Sequence, residues 1–205
     1  MKQQKLYFMT AAERRWTAIA VKPNHVSLLD IDKNAIEKRG TLPFDLTLKH
    51  AFFKDCELCF DNDFSTIRDI WLDCQLNSVL LILCSKKLQD IINKHLTGNE
   101  NLKWISCNII FGHEKRVYYF PLFTELPDVL NEDNSFYGGR EPILDNLIKP
   151  IFDSEKIKKH AIFPLPTTSD TWKIPPSVYI CENIKRDIVK AGLQDGIYFH
   201  QALVS

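Results

Sequence analysis

The pattern of apolar and polar positions near the end of the chain predicts a strand, a helix and a second strand. Residues 178–181 form a short apolar run behind two prolines, and its length and branching favour a buried strand. Ile184 and Ile188 then recur at helical spacing, with charged residues on the opposite face. Gly192 suits the left-handed residue that follows a helix. An Asp-Gly turn leads to the second apolar run, residues 197–199.

A similar unit occurs earlier in the chain. Residues 79–84 predict a buried strand, Ser85 is a suitable helix N-cap, and an apolar stripe over residues 88–96 predicts a helix. The next apolar run begins at Leu102. Two copies are too few for a repeat array, so we predict an internal pseudo-duplication, although chance also produces such pairs because this combination is common. The copies align with Cys84 on Cys181, Asp90 on Asp187, Ile91 on Ile188 and Ile92 on Val189.

The complete pattern predicts an α+β fold, a single domain with a mixed β-sheet and two pseudo-repeated strand–helix–strand units. Early apolar runs add N-terminal strands that extend or cap the sheet, and each helical crossover favours parallel neighbouring strands. A chain of 205 residues is long enough to bury one substantial core. We assign residues 1–74 to N-terminal strands and short helices, 75–120 to the first unit and a hairpin around Gly112, 121–174 to an irregular connection, and 175–205 to the second unit.

Charge and composition argue against several classes of function. The chain has 26 basic and 26 acidic side chains, a balance that argues against broad electrostatic binding to nucleic acid or to an anionic membrane. No secretory signal is evident, and the longest unbroken apolar run, residues 79–84, is far shorter than the ~20 residues that a bilayer requires. We therefore expect a cytoplasmic protein whose six cysteines are reduced thiols.

Few patterns in the sequence indicate catalysis. Cys56 and Cys59 have the two-residue spacing of redox and zinc motifs, but no second pair matches them, so packing thiols are the favoured interpretation. The alternative is a small thiol-dependent enzyme that uses Cys56 or Cys59 with a histidine brought near by the fold. Glycine-rich phosphate loops and metal-binding histidine spacings are absent, and Asp61-Asn62-Asp63 lacks the downstream residues of a calcium loop. We therefore expect no catalytic site, no cofactor and no metal.

Two acidic stretches, the first over residues 55–63 and the second over residues 125–133, are the best candidates for contacts with another protein. A solvated face is the ordinary interpretation of such stretches. The functional one is a surface complementary to a basic partner, because complementary charge raises the rate and selectivity of association. Nearby aromatic residues and a glutamate at the start of the C-terminal helix complete the set. The predicted partner-binding residues are Asp55, Glu57, Asp61, Asp63, Phe64, Glu125, Asp128, Glu132, Asp133, Phe136, Tyr137 and Glu182.

The second unit and the segments before it carry a family resemblance. The residues concerned are Ser177-Val178-Tyr179-Ile180-Cys181-Glu182, Ala191-Gly192-Leu193 and Gly196-Ile197-Tyr198-Phe199, with the earlier segments 117–120, 134–137 and 149–157. Together they resemble bacterial polymorphic-toxin immunity proteins, most closely the immunity protein 43 and immunity protein 11 groups, over residues 75–203. The chain has Cys181 and Asn183 where that family has serine and arginine, so a charged pair beside Glu182 is not carried over.

The resemblance implies a protein that binds and neutralises a cognate toxin by direct protein–protein contact. The toxin would come from neighbouring bacteria, by contact-dependent or type VI secretion, or from the cell itself. Such a protein needs a rigid scaffold and an interface of about 1,600 Å² with a few buried anchor residues, but no catalytic machinery. The thiol enzyme and a general adaptor or nucleic-acid-binding module stay open as alternatives. The sequence also leaves open the choice between monomer and homodimer.

Overall fold

The computed structural model describes residues 5–12, 18–26, 32–54, 57–65, 67, 69–139 and 143–205. In these ranges the helices are α1 (Lys33–Arg39), α2 (Lys86–Asn93) and α3 (Glu182–Lys190). The strands of the same ranges are β1 (Leu6–Ala11), β2 (Ala18–Val21), β3 (Leu46–Lys54), β4 (Glu57–Asp61), β5 (Cys74–Gln75), β6 (Leu83–Cys84), β7 (Leu102–Phe111), β8 (Glu114–Phe123), β9 (Phe136–Tyr137), β10 (Leu147–Lys149), β11 (Ile151–Phe152), β12 (Ile162–Phe163), β13 (Ser177–Cys181), β14 (Ile197–Gln201) and β15 (Leu203–Val204).

The larger sheet is mixed and curls until its two ends meet. Its strand order is β2-β3-β7-β8-β6-β5, and β4 pairs with β3 outside this path. The N–H of Ala20 in β2 donates to the carbonyl oxygen of Leu76 (2.8 Å), and the N–H of Ser78 donates to that of Ala20 (2.9 Å). These bonds join β2 to the segment after β5. Alternate residues of the strands, such as Leu46 and Phe120, form one apolar core.

The β7–β8 hairpin is the longest strand pair of this sheet. It is in register from Leu102 opposite Phe123 to Phe111 opposite Glu114. Gly112 has a φ of +58°, the left-handed conformation that a two-residue hairpin turn requires and that glycine adopts without steric cost. The predicted hairpin is therefore confirmed, with its turn shortened to the two residues before Glu114.

A second sheet has the order β12-β13-β1-β14, so the two predicted units lie in separate sheets of a single α+β domain. The first strand of the chain is central in this sheet and does not extend or cap it, as we expected of the N-terminal strands. The reason is that β1 is apolar on both faces. Tyr7 and Met9 belong to the core that contains α2 and α3, while Leu6 and Phe8 pack with a third apolar cluster.

Both units contain two parallel strands joined by a helix, but the strands are not neighbours. Of the predicted strand over residues 79–84, only Leu83–Cys84 (β6) is a strand, because the side chain of Asn77 holds Val79 and Leu81 in a turn. The antiparallel β8 lies between β6 and β7, and the antiparallel β1 lies between β13 and β14. The prediction of parallel neighbours is therefore wrong, because in each unit a third, antiparallel strand lies between the two parallel strands and forms hydrogen bonds with both. Cys84 is aligned through Tyr119 with Ser106, and Cys181 is aligned through Leu6 with Ala202. The connection from Cys84 to Ser106 and the connection from Cys181 to Ala202 therefore differ in length by one residue.

Several helix ends follow their sequence signals, although α2 ends at Asn93 and does not extend to residue 96. The side chain of Ser85 caps α2 by accepting a bond from the N–H of Leu88 (3.2 Å). Asp32 caps α1, and Gly40 ends it with a φ of +69°. After α3, Gly192 is left-handed (φ +72°) and the N–H of Leu193 bonds back to the carbonyl of Ile188 (3.1 Å). Within the described ranges, no helix is long and apolar enough to cross a membrane.

Candidate protein-binding surface

Strand β4 forms an exposed edge of the larger sheet. Within the described part of the chain it pairs with β3 alone, in the register Lys54 opposite Glu57 to His50 opposite Asp61. Leu58 is 50% exposed and Phe60 is 43% exposed, although both are large apolar side chains. An edge strand with exposed apolar residues offers a template on which another strand can pair.

The register fixes which backbone groups of β4 face outwards. Lys54 and Glu57 pair with each other and are separated by only two residues of the chain. In such a hairpin the two flanking residues exchange hydrogen bonds, so Lys54 and Glu57 are a hydrogen-bonded pair. Bonded and non-bonded pairs alternate along an antiparallel ladder. The N–H and C=O groups of Leu58 and Phe60 therefore point away from β3, whereas those of Cys59 point towards it. No other strand of the described residues pairs with this edge, so it presents two donors and two acceptors between Glu57 and Asp61.

The first acidic stretch surrounds this edge. Glu57 is exposed, and a carboxylate oxygen of Asp61 lies 3.1 Å from Nδ1 of the buried His50. The Asp63 carboxylate accepts a bond from the backbone N–H of Ser65 (2.9 Å), and this bond lowers the pKa of Asp63. Asp55 lies outside the described residues. The structure therefore places Glu57, Asp61 and Asp63 along β4 and the turn after it.

Phe64 of the predicted set has a packing role. Its ring meets that of Phe111, at the end of β7, with centroids 4.5 Å apart and planes at 66°, an edge-to-face arrangement. It is half-buried against the core of the larger sheet. Phe64 therefore fixes the turn after β4 to the sheet and presents little surface to a partner.

The second acidic stretch is partly engaged within the chain. Glu125 accepts a bond from the side-chain amide of Asn101 (2.8 Å), and Asp128 pairs with Lys156 (2.7 Å), which raises the pKa of Lys156. Glu132 and Asp133 are exposed on the following turn. Exposed ion pairs such as that of Asp128 contribute little to stability, so this stretch remains accessible to a partner.

An apolar patch follows that stretch on the ribbon of β9 and β10. Phe136 is 58% exposed and lies under the ammonium of Lys149, 5.5 Å from the ring centroid. Ile148 is 73% exposed. Tyr137 is half-buried, and burial raises its pKa. Of the two predicted aromatic residues here, Phe136 is the one with the larger accessible surface.

Glu182 stands apart from both acidic stretches in the chain. It is the first residue of α3, where a carboxylate is favoured by the helix dipole, and it lies 3.4 Å from the ammonium of Lys5. Both side chains are about half exposed. The helix start and this ion pair account for Glu182 without a partner. The predicted set therefore falls on β4 and its turn, on residues 125–137 and on α3.

Three cysteines of the described residues, Cys74, Cys84 and Cys107, are buried and lack the environment of a nucleophile. Burial raises the pKa of Cys74 and of Cys107 to about 12, and it also raises the pKa of Cys84 well above its ordinary value. Cys59 is half-buried on β4, with its Sγ 3.8 Å from the carbonyl oxygen of Glu57. Cys56 lies outside the described residues. In the same described ranges, no group of three His, Cys, Asp or Glu side chains is placed to hold a metal ion.

The sequence analysis missed the two residues that define the exposed edge, Leu58 and Phe60. A signal for them exists in the alternation of acidic and apolar residues from Glu57 to Asp61. It is weak because a strand with one buried apolar face shows the same alternation. What distinguishes an exposed apolar residue from a buried one is whether another part of the chain packs over that face of the strand, and only the tertiary structure shows this.

In comparisons with known proteins, no family model matches this chain, and no curated protein is significantly similar to it in sequence. The resemblance to immunity proteins over residues 75–203 therefore stays a prediction, carried by the segments described above.

Proposed function

We propose that this protein acts by binding another protein, and that β4 adds to a strand of that partner. The observation that carries the proposal is the free edge of β4, where Leu58 and Phe60 expose both their side chains and their outward backbone groups. Strand addition provides affinity through main-chain hydrogen bonds and specificity through alternate side chains. It also removes the aggregation risk of an exposed apolar edge.

The charges beside the edge favour a particular partner strand. Glu57 and Asp61 stand at the two ends of β4, and Asp63 follows in the next turn. A strand with an apolar centre and basic flanking residues would meet both features. The expected electrostatic contribution is to the association rate and to selectivity, and it weakens as salt is added.

The partner that we propose is a toxin domain, which this protein neutralises in the cytoplasm as an immunity protein. The resemblance of residues 75–203 to such proteins supports this choice. So does the scaffold, because an inhibitor that acts by occupying its target needs a rigid sheet with an exposed recognition edge. A complete interface buries about 1,600 Å², more than one strand provides. The patch at Phe136 and Ile148 is a second surface that could contribute to it.

We also propose that the two strand–helix–strand units arose by duplication. The shared order of their strands supports this, as does the one-residue difference between their paths. The strand between the parallel pair follows β7 in the first unit but comes from the start of the chain in the second. Circular permutation of the whole duplicated chain, which moves its last strand to the start, accounts for that difference.

Co-expression with the toxin domain encoded by the neighbouring reading frame tests the proposed function. We expect the wild-type protein to restore growth and to co-purify with the toxin in a fixed ratio. Leu58→Pro removes an outward N–H that β3 does not use, so the hairpin persists while strand addition is blocked. Leu58→Ala removes the side chain alone. We expect binding by Leu58→Pro to be about tenfold or more weaker than binding by Leu58→Ala.

Two controls accompany this comparison. Val189→Ala truncates an apolar residue of similar exposure on α3 and should leave binding unchanged. A variant with serine at positions 56 and 59 should still protect cells, because the proposed mechanism uses no thiol. Full protection by Leu58→Pro would contradict strand addition. Loss of protection in the serine variant, with folding intact, would favour the thiol enzyme instead.

A further inference from the structure

A cavity of about 440 Å³ lies where the chain segment 165–177 crosses the curled sheet. Its volume falls within the range of small-molecule binding sites, roughly 300–1,000 Å³. On one side it is lined by Ile36, Leu81 and Phe120, which belong to the core of that sheet. On the other side it is lined by Trp172 and Ile174. The body of the cavity is therefore apolar.

One end of the cavity is polar. Lys33 lines it, and its ammonium donates to the backbone carbonyl of Asp170 (2.7 Å). The hydroxyls of Thr167 and Thr171, which also line the cavity, lie 3.1 Å from each other. Because Asp170 immediately precedes Thr171, the ammonium and the hydroxyls share the same end. An apolar volume that ends in a cation and hydroxyl groups is amphipathic.

Among the described residues, no carboxylate neutralises the charge of Lys33. The carboxylate of Asp170 lies 3.6 Å from the ammonium of Lys173 instead. Across the described portion of the chain, no carboxylate oxygen lies within 4.0 Å of the Lys33 ammonium. The hydroxyl of Thr167 donates to the backbone carbonyl of Ser169 (3.0 Å), which leaves the Thr171 hydroxyl as the donor. A carboxylate that entered the cavity would therefore meet a positive charge and the hydroxyl of Thr171 at its polar end.

The rim of the cavity holds a leucine in an unfavourable conformation. Leu80 has a φ of +56° and is 65% exposed. Asn77 fixes this turn, because its side-chain oxygen accepts bonds from the N–H groups of Val79 (3.2 Å) and Leu81 (3.0 Å). Strained backbone of this kind is concentrated at binding sites. Here it holds an apolar side chain at the entrance.

We infer that this cavity binds a small molecule with one apolar chain or ring and one carboxylate. The apolar part would lie between the sheet core and Trp172, and the carboxylate would bind the ammonium of Lys33 and the hydroxyl of Thr171. A cationic head group would be repelled by Lys33, and a neutral one would gain only hydrogen bonds. This inference does not depend on the proposed toxin partner, because it concerns a different part of the surface.

Titration calorimetry with decanoate, 1-decanol and decyltrimethylammonium on the wild-type protein tests the ligand class. We expect decanoate to bind with one site per chain, at least tenfold more tightly than either analogue. Decanoate should also change the fluorescence of Trp172, a change that Trp172→Phe removes while calorimetric binding persists. Absence of saturable decanoate binding, or equal affinity for all three probes, would overturn the inference.

Variants of Lys33 locate the carboxylate. We expect Lys33→Met to weaken decanoate binding about tenfold or more, and Lys33→Arg to keep it within about threefold. Lys38→Met, a matched loss of charge on the exposed side of α1, should have no effect. Circular dichroism checks the fold of each variant. Unchanged decanoate affinity in folded Lys33→Met, or an equal loss in Lys38→Met, would place the carboxylate elsewhere and overturn the assignment.

Discussion

Nε2 of His95 lies 2.9 Å from a carboxylate oxygen of Asp187, and this contact joins the helices of the two strand–helix–strand units. His95 follows α2, whereas Asp187 lies in the middle of α3. The hydrogen bond with His95 lowers the pKa of Asp187, because it favours the ionised carboxylate. The pair holds α2 against α3 over their shared apolar core.

Replacement of Asp187 should therefore reduce stability in a pH-dependent way. The folded protein binds a proton at Asp187 less readily than the unfolded chain does. The contribution of Asp187 is thus fully present above the unfolded pKa of about 3.9 and is lost as the pH falls through the lower folded value. We expect the free energies of unfolding of wild type and Asp187→Asn to differ near neutral pH and to converge below about pH 4.

The aligned residue of the first unit provides the control for that experiment. Asp90 pairs with Lys86 four residues earlier on the surface of α2, an arrangement worth only about 0.3–0.5 kcal/mol. Asp90→Asn should therefore change the unfolding free energy little at any pH. Curves for Asp187→Asn and Asp90→Asn that coincide from pH 3 to pH 7 would show that the contact with His95 does not stabilise the fold.

Gly196 should be intolerant of any side chain. Its φ is +82°, and a Cβ built there would lie 2.9 Å from the carbonyl oxygen of Cys74 and from Cδ1 of Leu72. We expect Gly196→Ala to cost about 2–4 kcal/mol in urea unfolding, the sum of left-handed strain and overpacking. Gly192→Ala has a similar φ of +72° but open space around the Cβ, so it should cost only about 1–2 kcal/mol. Equal costs would show that the close approach to Cys74 is absent.

Leu80 is a position where a substitution should stabilise the protein. A leucine in the left-handed region costs roughly 1–2 kcal/mol, whereas asparagine tolerates that region. Because Leu80 is largely exposed, Leu80→Asn loses little buried area. We expect a rise in Tm of a few degrees, together with weaker decanoate binding at the cavity rim. A fall in Tm would mean that the side chain of Leu80 contributes more to packing than its backbone conformation costs.

Glu100 is a buried carboxylate that the sequence analysis did not single out. It accepts bonds from the N–H groups of Thr97 and Gly98, from the hydroxyl of Thr97 and from the N–H of Ala161. Burial raises the pKa of Glu100, but these bonds outweigh burial and hold the pKa below its ordinary value. We expect Glu100→Ala to cost about 1–3 kcal/mol, since the buried N–H of Ala161 loses its acceptor.

The control for Glu100 is an exposed glutamate with one amide partner. Glu125→Ala removes only the bond to Asn101 and should cost about 0.5–1.5 kcal/mol or less. The contribution of Glu100 should also be lost on acidification, because a carboxylate with a lowered folded pKa stabilises the fold only while it is ionised. A stability of Glu100→Ala equal to that of Glu125→Ala at neutral pH would contradict this role.

Local features of the fold could be predicted from the sequence, because neighbouring residues determine them. Ser85 caps α2, Gly192 ends α3, and Gly112 forms the hairpin turn, each through contacts within a few positions. The place of β1 between β13 and β14 could not be predicted. It depends on pairings that join positions about 170 and 190 residues apart, which no local pattern encodes.

The candidate sites show the same division. Acidic residues such as Glu57 and Glu132 could be predicted as exposed because charged side chains are seldom buried. The exposure of Phe60 depends instead on the tertiary packing, which leaves that face of β4 open. The cavity combines Lys33 with Trp172, which are far apart in the sequence and meet only through tertiary packing.

Hydrogen–deuterium exchange of the β4 amides, with and without the proposed toxin partner, tests the central claim most directly. In the free protein we expect fast exchange at Leu58 and Phe60, whose N–H groups point outwards, and slower exchange at Cys59, which is bonded to β3. Binding by strand addition should selectively protect Leu58 and Phe60. A stable complex in which these two amides exchange as fast as in the free protein would contradict the account.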